Sequence, residues 1–293
     1  MNGRPQFMMT DAAHFEVCYQ INPWMQPSAW SAESGAFRAR AREAAARLKA
    51  ALLAVGARVE TLEGVRGLPD LVFPANAAVV LDGRVLLARF RYPERQGEEA
   101  VFRRAFEGLR RRGLVREVVE LPAGVVQEGA GDAIWDADRA LFWVGYGPRS
   151  SPASAAAIEQ AFDQPTLGLE LASDRFYHLD TCFCPLSGGA VLYYPPAFAP
   201  AALALIRERV PEALRIEASD EEAAAFCVNA VNLGREVVMA RAPASLKARL
   251  AAQGFAVTEV DLSPFILSGG AAYCMTLRLD RTSRPAAAAF AAE

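Results

Sequence analysis

The chain has 293 residues, 53% hydrophobic and 22% charged, so it can bury a sizeable core, and its net charge of −3 argues against nucleic acid or an anionic membrane as a main partner. Five cysteines without framework spacing fit free thiols in a reducing compartment. Neither an apolar leader within residues 1–14 nor a run of roughly 18 apolar residues is present, which reads as a cytoplasmic, globular protein.

In chain order, residues 31–55 are rich in Ala and Arg, stop at Gly56 as a helix does, and lead into a β-rich run at 58–62. A hairpin follows: 77–81, the tight-turn pair Asp82-Gly83, then 84–88. The pattern returns as a helix at 98–112, a strand at 114–121 and a hairpin turning at 136–139. It returns again as 151–163, 166–171 and a hairpin around Ser187-Gly188-Gly189. A fourth pass has a helix at 200–209, a strand at 214–218 and a turn at Leu233-Gly234-Arg235. A fifth has 243–253 and 255–262, then a strand at 274–279 without a partner, which residues 15–21 are expected to supply. The turns recur about 46 to 54 residues apart, and such a period signals a repeat architecture. Five like units closed by the two chain ends predict a ring; an ordinary α/β sandwich with accidental spacing is the alternative. No linker rich in Pro, Gly or Ser divides the chain, so residues 1–293 read as one catalytic domain. The ring spans about 15–280, and a tail over 281–293 is expected to fray.

The chemically able residues gather at one place in each unit, just before or within the first hairpin strand: Asn76, then Glu128 and Asp132, then His178 and Asp180, then Asn229, then Cys274. In a ring these positions converge on one pocket. Cys274 follows Ser268-Gly269-Gly270-Ala271-Ala272-Tyr273, where paired glycines admit close approach to the main chain. It is a candidate nucleophile, against the plainer reading of a buried structural cysteine. His178, Asp180, Cys182 and Cys184 alternate and would share one face of a strand. Four ligands on one straight strand cannot close a zinc tetrahedron, so a His–Asp pair for acid/base work or cation binding is preferred to a metal site; a satisfied structural histidine is the remaining reading. Glu128-Gly129-Ala130-Gly131-Asp132 matches neither a P-loop nor a complete dinucleotide fingerprint. Two carboxylates around small residues suit a cation near the backbone, or else a capped turn. Thiol, histidine and carboxylates together suit a guanidinium, whose N–H forks match carboxylates and whose carbon a thiolate can attack.

Six stretches carry a family resemblance: Ile21-Asn22-Pro23-Trp24-Met25, Phe73-Pro74-Ala75-Asn76-Ala77, Tyr92-Pro93-Glu94-Arg95-Gln96-Gly97, Glu128-Gly129-Ala130-Gly131-Asp132, His178-Leu179-Asp180 and the segment ending at Cys274. Together they resemble the guanidino-group-modifying (amidinotransferase, or pentein) superfamily over about residues 15–280. The resemblance implies a five-bladed α/β propeller with pseudo-five-fold repeats. It implies Cys274 as nucleophile, His178 as general acid/base, and Glu128 and Asp180 as guanidinium holders. The chain is most similar to the arginine dihydrolase type. That likeness adds Asn22, Asn76 and Arg95 to the substrate site, with Arg95 on the substrate carboxylate; turn or surface polar roles are the alternative for each. Where Asn76 stands, arginine deiminases and dimethylarginine hydrolases usually carry aspartate. An amide donates as well as accepts, so it can hold a ureido intermediate for a second hydrolysis.

The reading is a C–N hydrolase without cofactor or metal that acts on arginine or a close relative. Dimethylarginine hydrolysis, single deimination and amidino transfer are its enzymatic alternatives. A non-catalytic binding protein on the same propeller, as in ribosome anti-association factors, is the alternative of another class. The expected partner is a small guanidino substrate, with no nucleic acid or membrane, and a homo-oligomer is left open.

Overall fold

The computed structural model describes residues 4–283. The four predicted hairpins form: Ala78–Leu81 with Arg84–Leu87, Ala133–Asp136 with Leu141–Tyr146, Phe183–Pro185 with Val191–Tyr193, and Val231–Leu233 with Glu236–Met239. Each second strand then passes through an outer helix to a third strand lying parallel beside it. The helices are Pro93–Arg111, Ser154–Phe162, Pro200–Arg209 and Ala244–Ala252; the third strands are Glu117–Val119, Thr166–Glu170, Arg215–Glu217 and Ala256–Glu259. A parallel neighbour cannot be reached by a tight turn, which is why a helix intervenes. The true repeat is therefore hairpin, helix, strand. The unit read from the sequence, helix, strand and following hairpin, is the same repeat out of phase, because the third strand bonds to the hairpin before it.

The fifth sheet joins the two ends of the chain. Gln6–Thr10 runs antiparallel to Leu277–Arg278 and parallel to Arg58–Leu62, which it reaches through the helix Ser34–Ala54. This corrects two expectations. The partner is not 15–21: Phe15, Val17 and Ile21 are buried in the apolar cluster of this blade and pack there without pairing. The final strand is shorter than 274–279, and Cys274 lies in the turn before it.

Five three-stranded sheets among the described residues make a five-bladed α/β propeller, with helices outside and the first hairpin strands nearest the axis. Apolar side chains at helical spacing bind each helix to its sheet. Phe102, Phe106 and Leu109 of Pro93–Arg111 lie against Ala78, Val80 and Val85. Residues 281–283 do not fray: Asp82 N donates to Arg281 O at 2.8 Å, and Ser283 Oγ donates to Asp82 Oδ2 at 2.6 Å. The tail predicted around 286–289 lies outside the described residues. No described helix is long and apolar enough to cross a membrane.

Candidate active site

The chain enters each inner strand through a tight turn, and the five turns meet around the axis. Asn76 lies in the 3-10 turn Pro74–Ala77; Glu128 precedes Gly129–Gly131; His178 precedes Leu179–Thr181, which contains Asp180. Asn229 and Cys274 lie in the turns before Val231–Leu233 and Leu277–Arg278. Hydrogen bonds stitch each turn to the next and close the circle. Ala75 N donates to Cys274 O (3.2 Å), and Asn76 Nδ2 to Glu128 O (3.5 Å). Leu179 N donates to Asp132 Oδ1 (2.9 Å), Asn229 Nδ2 to Asp180 O (3.0 Å), and Tyr273 N to Asn229 O (3.3 Å). The crowding explains a glycine: a Cβ on Gly131 would overlap Asn76 Nδ2.

Cys274, His178, Asp180, Glu128 and Asn76 are all buried. The Cys274 thiol donates to Asp180 Oδ2 at 3.1 Å and accepts from Asn229 Nδ2 at 3.1 Å. Asn229 Oδ1 takes the main-chain N–H groups of Ala271, Tyr273 and Cys274, so one amide fixes both the thiol and the loop carrying it. Burial, then the adjacent Asp180 charge, raises the thiol well above its ordinary pKa. Burial likewise pushes Asp180 up to about 7, against the lowering hydrogen bonds from Cys274 and Asn229. Its other oxygen, Oδ1, is buried with no hydrogen-bond partner among the described residues. The resting pair thus holds a proton, and Asp180 keeps a free acceptor for a cation that enters.

Glu128 is the opposite case. Burial opposes its ionisation, but the Arg149 guanidinium (3.0 Å) and the His178 hydrogen bond outweigh it and hold the carboxyl well below the usual range. His178 Nε2 lies 2.7 Å from Glu128 Oε2, so with Glu128 ionised that nitrogen carries a proton. Asn76 Nδ2 stands 3.4 Å from His178 Nδ1. Its orientation follows from Arg95, which can only donate: Arg95 Nη1 gives a hydrogen bond to Asn76 Oδ1 at 2.8 Å, and the amide NH₂ is left facing the histidine. A donor there matches an unprotonated Nδ1.

Three predicted residues are placed differently from expectation. Arg95 is buried, held by both oxygens of Glu98 (2.9 and 2.8 Å), by Asp70 O and by Asn76, so it orients Asn76 instead of standing ready for a substrate carboxylate. Asp132 spends its carboxylate on Leu179 N and Ser150 Oγ (2.6 Å), behind His178, with Oδ2 3.9 Å from the ring. Asn22 accepts from Trp24 N and Met25 N and donates to Ser268 O, stapling its loop beside the segment that leads to Cys274. The paired glycines also serve neighbours more than a ligand. A Cβ on Gly269 would stand 2.7 Å from Tyr177 Oη, and one on Gly270 would strike the Phe73 ring.

The shared strand face over 178–184 does not exist. A 3-10 turn separates His178 from Phe183–Pro185, and Cys182 and Cys184 enter different apolar clusters. Among the described residues no group of three or more His, Cys, Asp or Glu side chains could hold a metal ion. Arg149 escaped sequence reasoning. It lies between the Tyr92 and Tyr177 rings (4.7 and 4.5 Å) in a loop with no pattern to mark it.

Comparison with known proteins adds the following. Residues 12–281 match the model of the family described as N,N dimethylarginine dimethylhydrolase, eukaryotic. The chain is 41% identical over 280 residues to the bifunctional arginine dihydrolase/ornithine cyclodeaminase ArgZ of Synechocystis, covering 96% of this chain but only 38% of that protein's length. It is 34% identical over 274 residues to the N(G),N(G)-dimethylarginine dimethylaminohydrolase of Mycobacterium tuberculosis, covering 94% of this chain and 85% of the relative. The crystal structure of the N-terminal domain of ArgZ bound to product, an arginine dihydrolase from cyanobacteria, superposes with a TM-score of 0.89 at 40% identity. The match spans 97% of this chain and all of that one.

Proposed function

The chain belongs to the N,N-dimethylarginine dimethylhydrolase family, and we propose that it hydrolyses the guanidinium of arginine twice, giving ornithine, carbon dioxide and two ammonia. The 293 residues act as one cytoplasmic catalytic domain without cofactor or metal, on a small guanidino substrate. Asp180, through its unpartnered Oδ1, and Glu128 receive the guanidinium N–H groups. The incoming cation favours passage of the Cys274 proton to His178, and the thiolate attacks the guanidinium carbon. His178 gives a proton to the departing nitrogen, which leaves as ammonia. It then takes one from the water that displaces the thiolate. The bound product is a neutral ureido group. A second attack expels the other ammonia and leaves a thiocarbamate. Its hydrolysis gives a carbamate that falls apart to ornithine and carbon dioxide.

The observation that carries two steps over one is the Asn76 amide, held with its oxygen on Arg95 and its NH₂ on only long contacts to Glu128 O (3.5 Å) and His178 Nδ1 (3.4 Å), which a ureido oxygen can replace. That donor suits the ureido oxygen of the intermediate; it offers nothing to a guanidinium, which has only donors. The likeness to the arginine dihydrolase domain supports the same reading. The family model and the mycobacterial relative favour a second one, a single hydrolysis of methylated arginine that would release citrulline. Mass spectrometry of the products from arginine and from dimethylarginine separates them. Ornithine with two ammonia per arginine supports the dihydrolase; stoichiometric citrulline, or turnover of methylated arginine alone, replaces it with the second reading.

A further inference from the structure

The inner strands run away from the thiol, and about three residues further along them, roughly 10 Å at strand rise, the axis opens into a second cavity. Its narrow inner part is walled by apolar side chains such as Val79 and Val231 and by Trp135, Tyr273, Arg278 and Arg281; no carboxylate lines it. A wider outer part shares Trp135, Tyr273 and both arginines and opens past Asp136, Asp138 and Asp280. Those carboxylates are engaged elsewhere. Asp136 takes Arg139 and the Trp143 indole, Asp138 takes Gly188 N, and Asp280 takes Arg278 at 2.5 Å.

Arg281 has no such counterpart. Among the described residues the one hydrogen bond of its guanidinium is from Nη1 to Trp135 O, 3.2 Å, and none of them offers it a carboxylate within 4 Å. Trp135 is buried, and its indole N–H has no partner among the described residues. A buried donor left unpaired costs about 1–3 kcal/mol, so the Trp135 N–H, beside a half-buried guanidinium without a carboxylate, calls for an acceptor. We propose that the Arg281 guanidinium and the Trp135 indole N–H hold a small monovalent anion, a halide or the carboxylate of a short acid, in the axial cavity on the face opposite Cys274. Burial lowers the Arg281 pKa from its ordinary value and Arg278 adds to this, although Tyr273 and Asp280 pull the other way. An anion here compensates that charge and ties the inner strands of several blades together.

The test is thermal unfolding of the full chain at constant ionic strength, exchanging gluconate, too large for the inner cavity, for chloride, bromide, formate or acetate. A ligand of the folded state raises Tm in a saturable way. The proposal expects saturable stabilisation by the halides, the carboxylates or both, and the responding set identifies the occupant. Arg281→Met should abolish the response while being no less stable than the parent in gluconate, since it removes an uncompensated charge. Trp135→Phe, which deletes the N–H and keeps the ring, should raise the apparent dissociation constant roughly tenfold, and it serves alone if the first variant does not fold. Bromide-soaked crystals should show an anomalous peak beside the guanidinium if halides respond. Equal anion responses in the parent and the variants, or no saturable response in the parent, overturn the proposal.

Discussion

Replacing Asn76 by Asp tests how the site chooses between one hydrolysis and two. One carboxylate oxygen would keep the 2.8 Å bond from Arg95 Nη1, and the other would stand where Nδ2 now lies, 3.4 Å from His178 Nδ1 and 3.5 Å from Glu128 O. For a bound guanidinium this change is tolerable, since a carboxylate is the better acceptor for N–H forks. For the ureido intermediate it removes the donor to a buried carbonyl oxygen, about 1–3 kcal/mol, and sets a negative charge against that oxygen. A combined effect of about 3 kcal/mol corresponds to roughly 100-fold in the partition between release and second attack. The assay is chromatography with mass detection of citrulline and ornithine formed from arginine. Asn76→Asp should move the product ratio toward citrulline by about two orders of magnitude, with arginine consumption persisting. An unchanged ratio would refute the role given to the amide.

Two further outcomes follow from the same geometry. Cys274→Ser should retain the circular dichroism of the parent and lose about three or more orders of magnitude in turnover, whereas Cys18→Ser, Cys184→Ala and Cys227→Ala should remain active; normal turnover in Cys274→Ser sinks the nucleophile. The acid limb of kcat/KM should fall near pH 7, because Asp180 is pushed up to about 7 by burial and must be ionised to receive the cation; activity is lost as pH drops through that value. In kcat the limb should lie lower, since bound guanidinium favours the carboxylate, and identical limbs in both profiles would contradict the assignment.

The ring was legible because its turns carry strong local chemistry. Asp82-Gly83 and Ser187-Gly188-Gly189 mark hairpins by requiring positive φ, seen at Asp82, Gly83, Gly188 and Gly189. The convergence of Asn76, Glu128, His178, Asp180 and Cys274 followed from the repeat alone. What escaped was decided by long-range pairing. Residues 15–21 read as the closing strand, and only pairing with Arg58–Leu62 and Leu277–Arg278, far off in sequence, chooses Gln6–Thr10 instead. Arg149 is indistinguishable from the many surface arginines until the fold seats it on Glu128, and the resemblance that singles out Arg95 does not reveal its seat on Glu98. Nor does any local pattern say that the glycines before Cys274 make room for Tyr177 and Phe73.

The electrostatics of the thiol lead to a last prediction, about citrulline. Asp180 and Cys274 sit 3.1 Å apart, both raised by burial, with Asp180 Oδ1 unpartnered among the described residues, while Glu128 already has Arg149. The missing charge is one positive unit, and the arginine guanidinium brings it. At about 4 Å and an effective dielectric near 20, that charge favours the thiolate by about 4 kcal/mol, or roughly 3 pKa units. Reactivity therefore appears when the correct cation is bound. The ureido intermediate is neutral and brings no such help. Formed in place, it meets a thiolate that has just departed and a histidine that has just taken the water's proton. Citrulline added from outside meets a protonated thiol. At saturating concentration the enzyme should therefore convert external citrulline to ornithine at least tenfold more slowly than it converts arginine, and raising the pH should narrow the gap as the thiol ionises without assistance. Equal rates from citrulline and arginine at neutral pH, measured as ornithine formed, would show that the substrate cation is not what activates Cys274.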